Sequence, residues 1–130
     1  AKPLEVKAEE VAEGRESQTR SQRLLATGDF EGFISENQRI LSAAHSRSPK
    51  DEALFNLGLV YAHEGNPKKD FLKSLDFFKR LIHDHPRSPL VEQAKIWVGF
   101  LQDYESLNQI IQKLKQVDIE VEERKREKAK

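Results

Sequence analysis

The chain contains no cysteine and no methionine among its 130 residues. The lack of cysteine excludes disulfide bonds and thiolate metal sites. No apolar run approaches the roughly 20 residues that span a bilayer, and no signal-peptide pattern is present. Because the chain starts at Ala1 and lacks methionine, we expect a processed or trimmed fragment, and an export signal or lipid anchor before Ala1 stays an open alternative.

An excess of charge of one sign is missing as well, since 22 basic residues balance 22 acidic ones. Nucleic-acid binding needs a basic surface that displaces counterions, so we expect no nucleic-acid partner. The hydrophobic fraction of 37% is too high for a wholly disordered chain. A chain of this length is able to bury one modest core.

Alternation of apolar and polar residues, the mark of a half-buried strand, is also absent. Apolar residues instead recur every three or four positions, as in Leu54, Leu57, Val60 and Tyr61. Helix start and stop signals divide the chain into helices. These signals include a left-handed C-cap at Gly28, an N-cap at Asp29 and a stop at Gly65-Asn66-Pro67. The predicted helical ranges are 4–27, 30–45, 50–64, 68–84, 89–103 and a long tail 104–130. The fold class predicted is therefore all-α, built from antiparallel helix hairpins with a long C-terminal helix.

An internal repeat supports this organisation. His45-Ser-Arg-Ser-Pro49 recurs as His85-Pro-Arg-Ser-Pro89, forty residues later. A helical pattern with a glycine at a similar place follows each copy, at Gly58 and at Gly99. Fixed periods of this size indicate stacked helical repeats.

The middle of the chain resembles a tetratricopeptide repeat, whose pattern is W-x2-L-G-x2-Y, A-x3-F and P. Leu54-x2-Leu57-Gly58-x2-Tyr61 matches the first helix, with leucine in place of tryptophan. Ser74-x3-Phe78 matches the second helix, with serine in place of alanine, and Pro86 is the terminal proline. The resemblance implies that Gly58 permits close approach of the paired helices. The spacing of 40 rather than 34 residues keeps a HEAT-type repeat as the alternative.

The resemblance covers roughly residues 17–115, with weaker copies on either side of the central repeat. We therefore expect a helical or disordered lead over 1–16, a repeat domain over 17–115 and a charged helical extension over 116–130. The phrase His85-Pro-Arg-Ser-Pro89 is similar to bacterial periplasmic and outer-membrane tetratricopeptide lipoproteins, such as the BamD-like and CpoB-like proteins. That similarity implies a periplasmic or outer-membrane location, with the cytoplasm as the alternative.

Stacked helix hairpins form a curved inner wall from the first helix of each pair. The motif register places one set of residues on this wall, and we predict that they bind a protein or peptide. The predicted binding residues are Phe55, Asn56, Leu59, His63 and Trp97. The alternative is that Phe55 and Leu59, with Ile96 and Phe100, are core residues covered by the C-terminal helix.

Catalytic motifs are not found. The chain has no phosphate-binding glycine loop, no dinucleotide fingerprint and no serine nucleophile motif. His83-Asp84-His85 has metal-like composition, but adjacent residues at one helix end rarely close a tetrahedral site. We expect no enzyme activity, no metal, no cofactor and no small-molecule substrate.

Three functions remain open at this stage. The first is a non-catalytic tetratricopeptide scaffold of the bacterial envelope that binds another protein and is a monomer or a tail-mediated dimer. The second is a structural oligomerisation module, in which Leu107, Ile111, Leu114 and Val121 form a coiled coil between chains. The third is an accessory domain of an enzyme whose catalytic part lies outside this fragment.

Overall fold

The computed structural model describes residues 20–43 and 50–129. Within these ranges every regular element is a helix and no strand occurs, so the predicted all-α class is confirmed. Helix α1 covers the described helical residues 20–26. It is followed by α2 (Phe30–Ser42), α3 (Lys50–Ala62), α4 (Phe71–Asp84) and α5 (Val91–Ala129). The lead predicted over 1–16 lies outside the described residues.

Local capping explains where α1 and α2 meet. Gly28 has φ +79°, a left-handed conformation that suits a residue without Cβ at the end of a helix. The side chain of Asp29 then accepts a hydrogen bond from Gly32 N at 2.9 Å, which starts α2. Both roles were predicted from the sequence and are confirmed.

The turn between α3 and α4 is held by one buried asparagine. Asn66 donates its amide Nδ2 to Val60 O at 2.9 Å and accepts from Lys68 N at 3.0 Å. Asp70 then caps α4, accepting from Leu72 N and Lys73 N at 3.1 Å each. The helix predicted from residue 68 therefore begins at Phe71, because the loop from Asn66 satisfies the backbone up to this cap.

Helix α3 is the central helix of the packed region. It packs against α2 on one side and against α4 on the other, so it has apolar residues around most of its circumference. Leu54, Leu57, Val60, Phe78 and Leu81 are at most 1% exposed. Burial of such side chains contributes about 1.5–3 kcal/mol each relative to exposure, as an upper estimate.

Close packing of α3 on α4 depends on the small residues Gly58 and Ser74. A Cβ on Gly58 would lie 2.6 Å from Phe78 Cζ. The hydroxyl of Ser74, which is buried, donates to Gly58 O at 2.5 Å. The predicted close contact at Gly58 is confirmed. Tyr61, one helical turn after Gly58, is also buried. Its ring stacks on Phe77 of α4, with the ring centroids 5.8 Å apart.

The C-terminal part of the chain differs from the prediction. The break expected between 103 and 104 is wrong, because α5 continues without interruption from Val91 to Ala129. No glycine or proline lies between Phe100 and Ala129, so nothing in this segment stops a helix. The chain divides into two compact units, Ala1–Val98 and Gly99–Lys130, and α5 includes residues of both.

Candidate protein-binding face

Helix α3 presents three of the predicted binding residues on one face. Phe55, Asn56 and Leu59 are half-buried, whereas Leu54, Leu57 and Val60 on the other faces are buried. Residues three and four apart share a helix face, which groups Phe55 with Leu59. The packed helices therefore cover this side of α3 only in part.

A row of three aromatic rings joins this face to the start of α5. Phe55 meets Phe78 edge to face with centroids 5.4 Å apart. Trp97 stacks on the same Phe78 ring at 5.8 Å, with the ring planes only 4° apart. Phe78 is fully buried, whereas Phe55 and Trp97 are half-buried. Phe55 and Trp97 therefore pack against the core through Phe78 and remain partly exposed to solvent.

The chain neighbour of Trp97 is strongly exposed. Ile96, the neighbour of Trp97 on α5, is 59% exposed. Ile96 is therefore not among the buried core residues of the described structure. Phe100, which belongs to the second unit, is 67% exposed.

Asn56 belongs to a polar chain that crosses the helices. Its amide Nδ2 donates to Asn37 Oδ1 at 3.1 Å. Asn37, which is fully buried, donates in turn to Phe33 O at 2.8 Å and to Ser21 Oγ at 3.5 Å. Asn56 thus helps to satisfy a buried asparagine, a structural role that the sequence motif did not reveal.

His63 lies just beyond the end of α3 and serves the turn that follows. Its Nδ1 accepts a hydrogen bond from Gly65 N at 2.9 Å. The ring also packs on Phe30 with centroids 4.9 Å apart. These two contacts stabilise the turn after α3 and hold His63 at the end of the candidate face.

The first turn of α3 supplies the acidic end of this region. Burial, with a smaller contribution from Asp51, raises the pKa of the Glu52 carboxyl above its ordinary value. Asp51 itself accepts a hydrogen bond from Ser88 Oγ at 2.5 Å. Ser88 Oγ accepts from Leu90 N at 3.1 Å, so the start of α5 is tied to the start of α3.

A second surface feature was missed by the sequence analysis. A pocket of about 330 Å³ is lined by Gln38, Tyr61, Lys73, Asp76, Phe77 and Arg80. Two cations lie over its stacked aromatic rings, with Lys73 Nζ 5.4 Å from the centre of Tyr61 and Arg80 5.7 Å from that of Phe77. The signal was the alternation of Lys73, Phe77 and Arg80 along one face of α4.

The second unit carries a continuous apolar surface, which we call the C-terminal stripe. It consists of Leu107, Ile110, Leu114, Val117 and Val121, which are 42–60% exposed. All residues from 106 to 129 are exposed. The sequence analysis placed Leu107, Leu114 and Val121 of this face in its coiled-coil alternative.

Neither a metal centre nor a membrane span is found in the described ranges. His83 and Asp84 pair at 2.8 Å, and this hydrogen bond lowers the pKa of the Asp84 carboxyl. Within residues 20–43 and 50–129, no group of three or more His, Cys, Asp or Glu side chains is arranged to hold a metal ion. No helix there combines the length and apolar character needed to cross a bilayer.

Comparison with known proteins adds no relative to this picture. Neither the protein-family models, nor the curated proteins, nor the solved structures include a match to the chain.

Proposed function

We propose that the chain is a non-catalytic protein-interaction scaffold of the tetratricopeptide type. The observation that carries the proposal is the pair of half-buried rings, Phe55 and Trp97, on either side of the buried Phe78. Aromatic rings fixed by the core but open at one edge are typical anchors for a bound protein segment. Leu59, one helical turn after Phe55 and also half-buried, extends this apolar floor along α3.

The fixed position of the rings favours binding. Phe55 and Trp97 each contact Phe78, so a ligand need not order them on arrival. Immobilising a side chain at an interface costs about 0.5–1.5 kcal/mol, and the contacts with Phe78 remove most of that cost. An amphipathic helix or an extended segment with two or three apolar side chains fits such a floor.

Selection of peptides on the whole chain tests this function. Peptides from a displayed random library would be selected on the immobilised protein and then titrated while the fluorescence of Trp97, the single tryptophan, is recorded. We expect saturable binding with a shift of the Trp97 emission, and at least tenfold weaker binding by Phe55→Ala. The control variant Leu72→Ala changes an exposed apolar residue of α4 and should bind as the unmodified protein does.

Two results would count against the proposal. The first is a failure of any selected peptide to bind saturably. The second is equal affinity for the unmodified protein and for Phe55→Ala, since binding would then occur elsewhere. Circular dichroism and thermal unfolding of Phe55→Ala must accompany the titration, because the residue also contacts the core.

We further propose that the scaffold works in the bacterial envelope. The support is the similarity of His85-Pro-Arg-Ser-Pro89 to periplasmic and outer-membrane tetratricopeptide lipoproteins. The reading frame upstream of Ala1 in the natural gene tests this location. An encoded signal peptide with a lipidation cysteine agrees with it, and direct continuation from a cytoplasmic regulatory domain contradicts it.

A further inference from the structure

The C-terminal stripe follows the spacing of a coiled coil. Its members Leu107, Ile110, Leu114, Val117 and Val121 are separated by 3, 4, 3 and 4 residues, which is the a/d pattern of a heptad repeat. Leu107, Leu114 and Val121 occupy a positions, while Ile110 and Val117 occupy d positions. The stripe therefore has the geometry that packs against a second helix of the same pitch.

The helix that carries this stripe gains little from its own unit. Every residue from 106 to 129 is exposed, and an isolated helix in water depends on weak propensity and i,i+4 contacts. The five apolar side chains form one contiguous exposed patch. Single exposed apolar residues are common on protein surfaces, whereas contiguous patches often mark interaction sites. A partner helix would remove this surface from water.

Charges beside the stripe identify the partner as the same segment of another copy. Lys113 and Glu120 lie at g positions, and Asp118 and Lys125 lie at e positions. In a parallel pair each g residue faces the e residue five positions later in the partner. Lys113 then faces Asp118 of a second copy, and Glu120 faces Lys125 of that copy, so both pairings are attractive.

Intrachain contacts do not account for this charge order. Residues five apart do not face each other on one helix, so Lys113 and Asp118 are not partners within the chain. Lys125 has an intrahelical contact with Glu122 at 3.7 Å, with both side chains more than 60% exposed. Such exposed pairs contribute little and exchange readily for an interchain pair.

The reversed arrangement is less favourable. With Leu114 opposite Val117 of an antiparallel copy, Leu107 would face Arg124 and leave that apolar layer incomplete. Lys113 would still face Glu120, but the two e-position charges would face Ile111 and Tyr104. A lipid surface also fits poorly, because the polar face of α5 carries both signs of charge rather than the basic excess of membrane-surface helices.

We propose that the C-terminal stripe joins copies of this chain in a parallel, in-register coiled coil centred on Leu114. Leucine at a with β-branched residues at d favours three or four strands over two, and the apolar Ile111 at the next e position widens the face accordingly. The coiled coil uses none of the residues of the peptide-binding face on α3. The association experiment and the peptide titration therefore test separate proposals.

Sedimentation equilibrium of the full chain over a hundredfold range of concentration tests the association. The expected result is a reversible rise from monomer to a mass of three or four chains at micromolar concentrations. Leu114→Asp should remain monomeric, whereas Gln112→Asp, on the opposite face of the same turn, should associate as the unmodified chain does. A monomer at all concentrations overturns the proposal, and a dimer overturns the expected number of strands.

Charge reversal tests the register. Lys113→Glu and Asp118→Lys should each weaken association several-fold, because each places like charges opposite one another. The double variant should recover the original association, since the pair is then reversed but attractive. Additive losses in the double variant would contradict the Lys113–Asp118 contact.

An introduced cysteine tests the direction, because the chain has none of its own. Arg124→Cys places a thiol at the d position after Val121, and parallel copies should form a disulfide between these thiols under mild oxidation. In the antiparallel arrangement the two thiols would be about 25 Å apart, at 1.5 Å per residue. Association without this disulfide overturns the parallel arrangement, and Gln112→Cys serves as the control that should not cross-link.

Discussion

The ring of Phe78 occupies the space that a side chain on Gly58 would need, with Cζ 2.6 Å from the position of a Cβ there. Phe78 is fully buried and lies between Phe55 and Trp97, so it has no room to move aside. The absence of a side chain at Gly58 therefore fixes the position of the Phe78 ring. The candidate binding face depends on this contact, because Phe55 and Trp97 both pack on Phe78.

Gly58→Ala should destabilise the protein. Alanine improves helix propensity by up to about 1 kcal/mol, but overpacking a core costs about 1–3 kcal/mol, and the rigid neighbours of Phe78 favour the upper part of that range. We expect a lower midpoint in thermal and urea unfolding. Gly99→Ala is the matched control, because a Cβ there meets nothing within 4 Å apart from its chain neighbours and the backbone of its own helix. It should leave stability unchanged or raise it, and an equal loss in both variants would contradict the Gly58–Phe78 contact.

Asn37→Ala should cost about 2–3 kcal/mol, the sum of a buried cavity and lost hydrogen bonds. Asn37 is fully buried and holds both Asn56 and Phe33 O, so its loss leaves the amide of Asn56 without its partner. Urea unfolding measures the effect. Gln38→Ala, at the exposed neighbouring position, should change stability by less than about 0.5 kcal/mol. If Asn37→Ala is equally mild, the polar chain contributes little.

Glu52→Gln should increase stability at neutral pH. Burial and Asp51 raise the folded-state pKa of the Glu52 carboxyl, so its ionised form is less favourable in the folded protein than in the unfolded chain. This penalty is absent below the unfolded-state pKa and is fully present above the folded-state pKa. Thermal unfolding at several pH values should show the variant gaining on the original protein as pH rises. A constant difference across the range would contradict this linkage.

Truncation after Gln116 should leave the packed region folded. Residues 117–129 are exposed, so their removal takes no buried side chain from the core. At concentrations where the chain is monomeric, urea unfolding followed by Trp97 fluorescence should keep its midpoint. Loss of cooperative unfolding in the truncated chain would show that the C-terminal helix supports the core.

The helix ends were largely predictable because their signals are local. Gly28, Asp29 and the Gly65-Asn66-Pro67 stop act through their own backbone conformation and through bonds to residues a few positions away. The start of α4 was misplaced by three residues, since the role of Asn66 depends on its burial beneath α3. The break expected near residue 103 was wrong because no stop signal lies there, only an assumed division between repeats.

The repeat motif predicted the helix face of the binding residues but not their contact partners. The register grouped Phe55, Asn56 and Leu59 on one helix face, and the structure has all three half-buried on α3. Their partners, however, come from other helices: Phe78 for Phe55 and Asn37 for Asn56. Whether this face binds a ligand stays a prediction for the peptide titration.

The sequence by itself determined the helical class, the caps, the Gly58 contact and the heptad spacing of the C-terminal stripe. These features depend on residue type and short-range periodicity, which are present in the linear chain. Only the tertiary structure decided that Phe78 lies between Phe55 and Trp97, that Asn56 holds a buried asparagine, and that the residues from 106 to 129 are exposed. Those outcomes depend on which helices pack together, and contacts between distant residues are fixed only when the core closes.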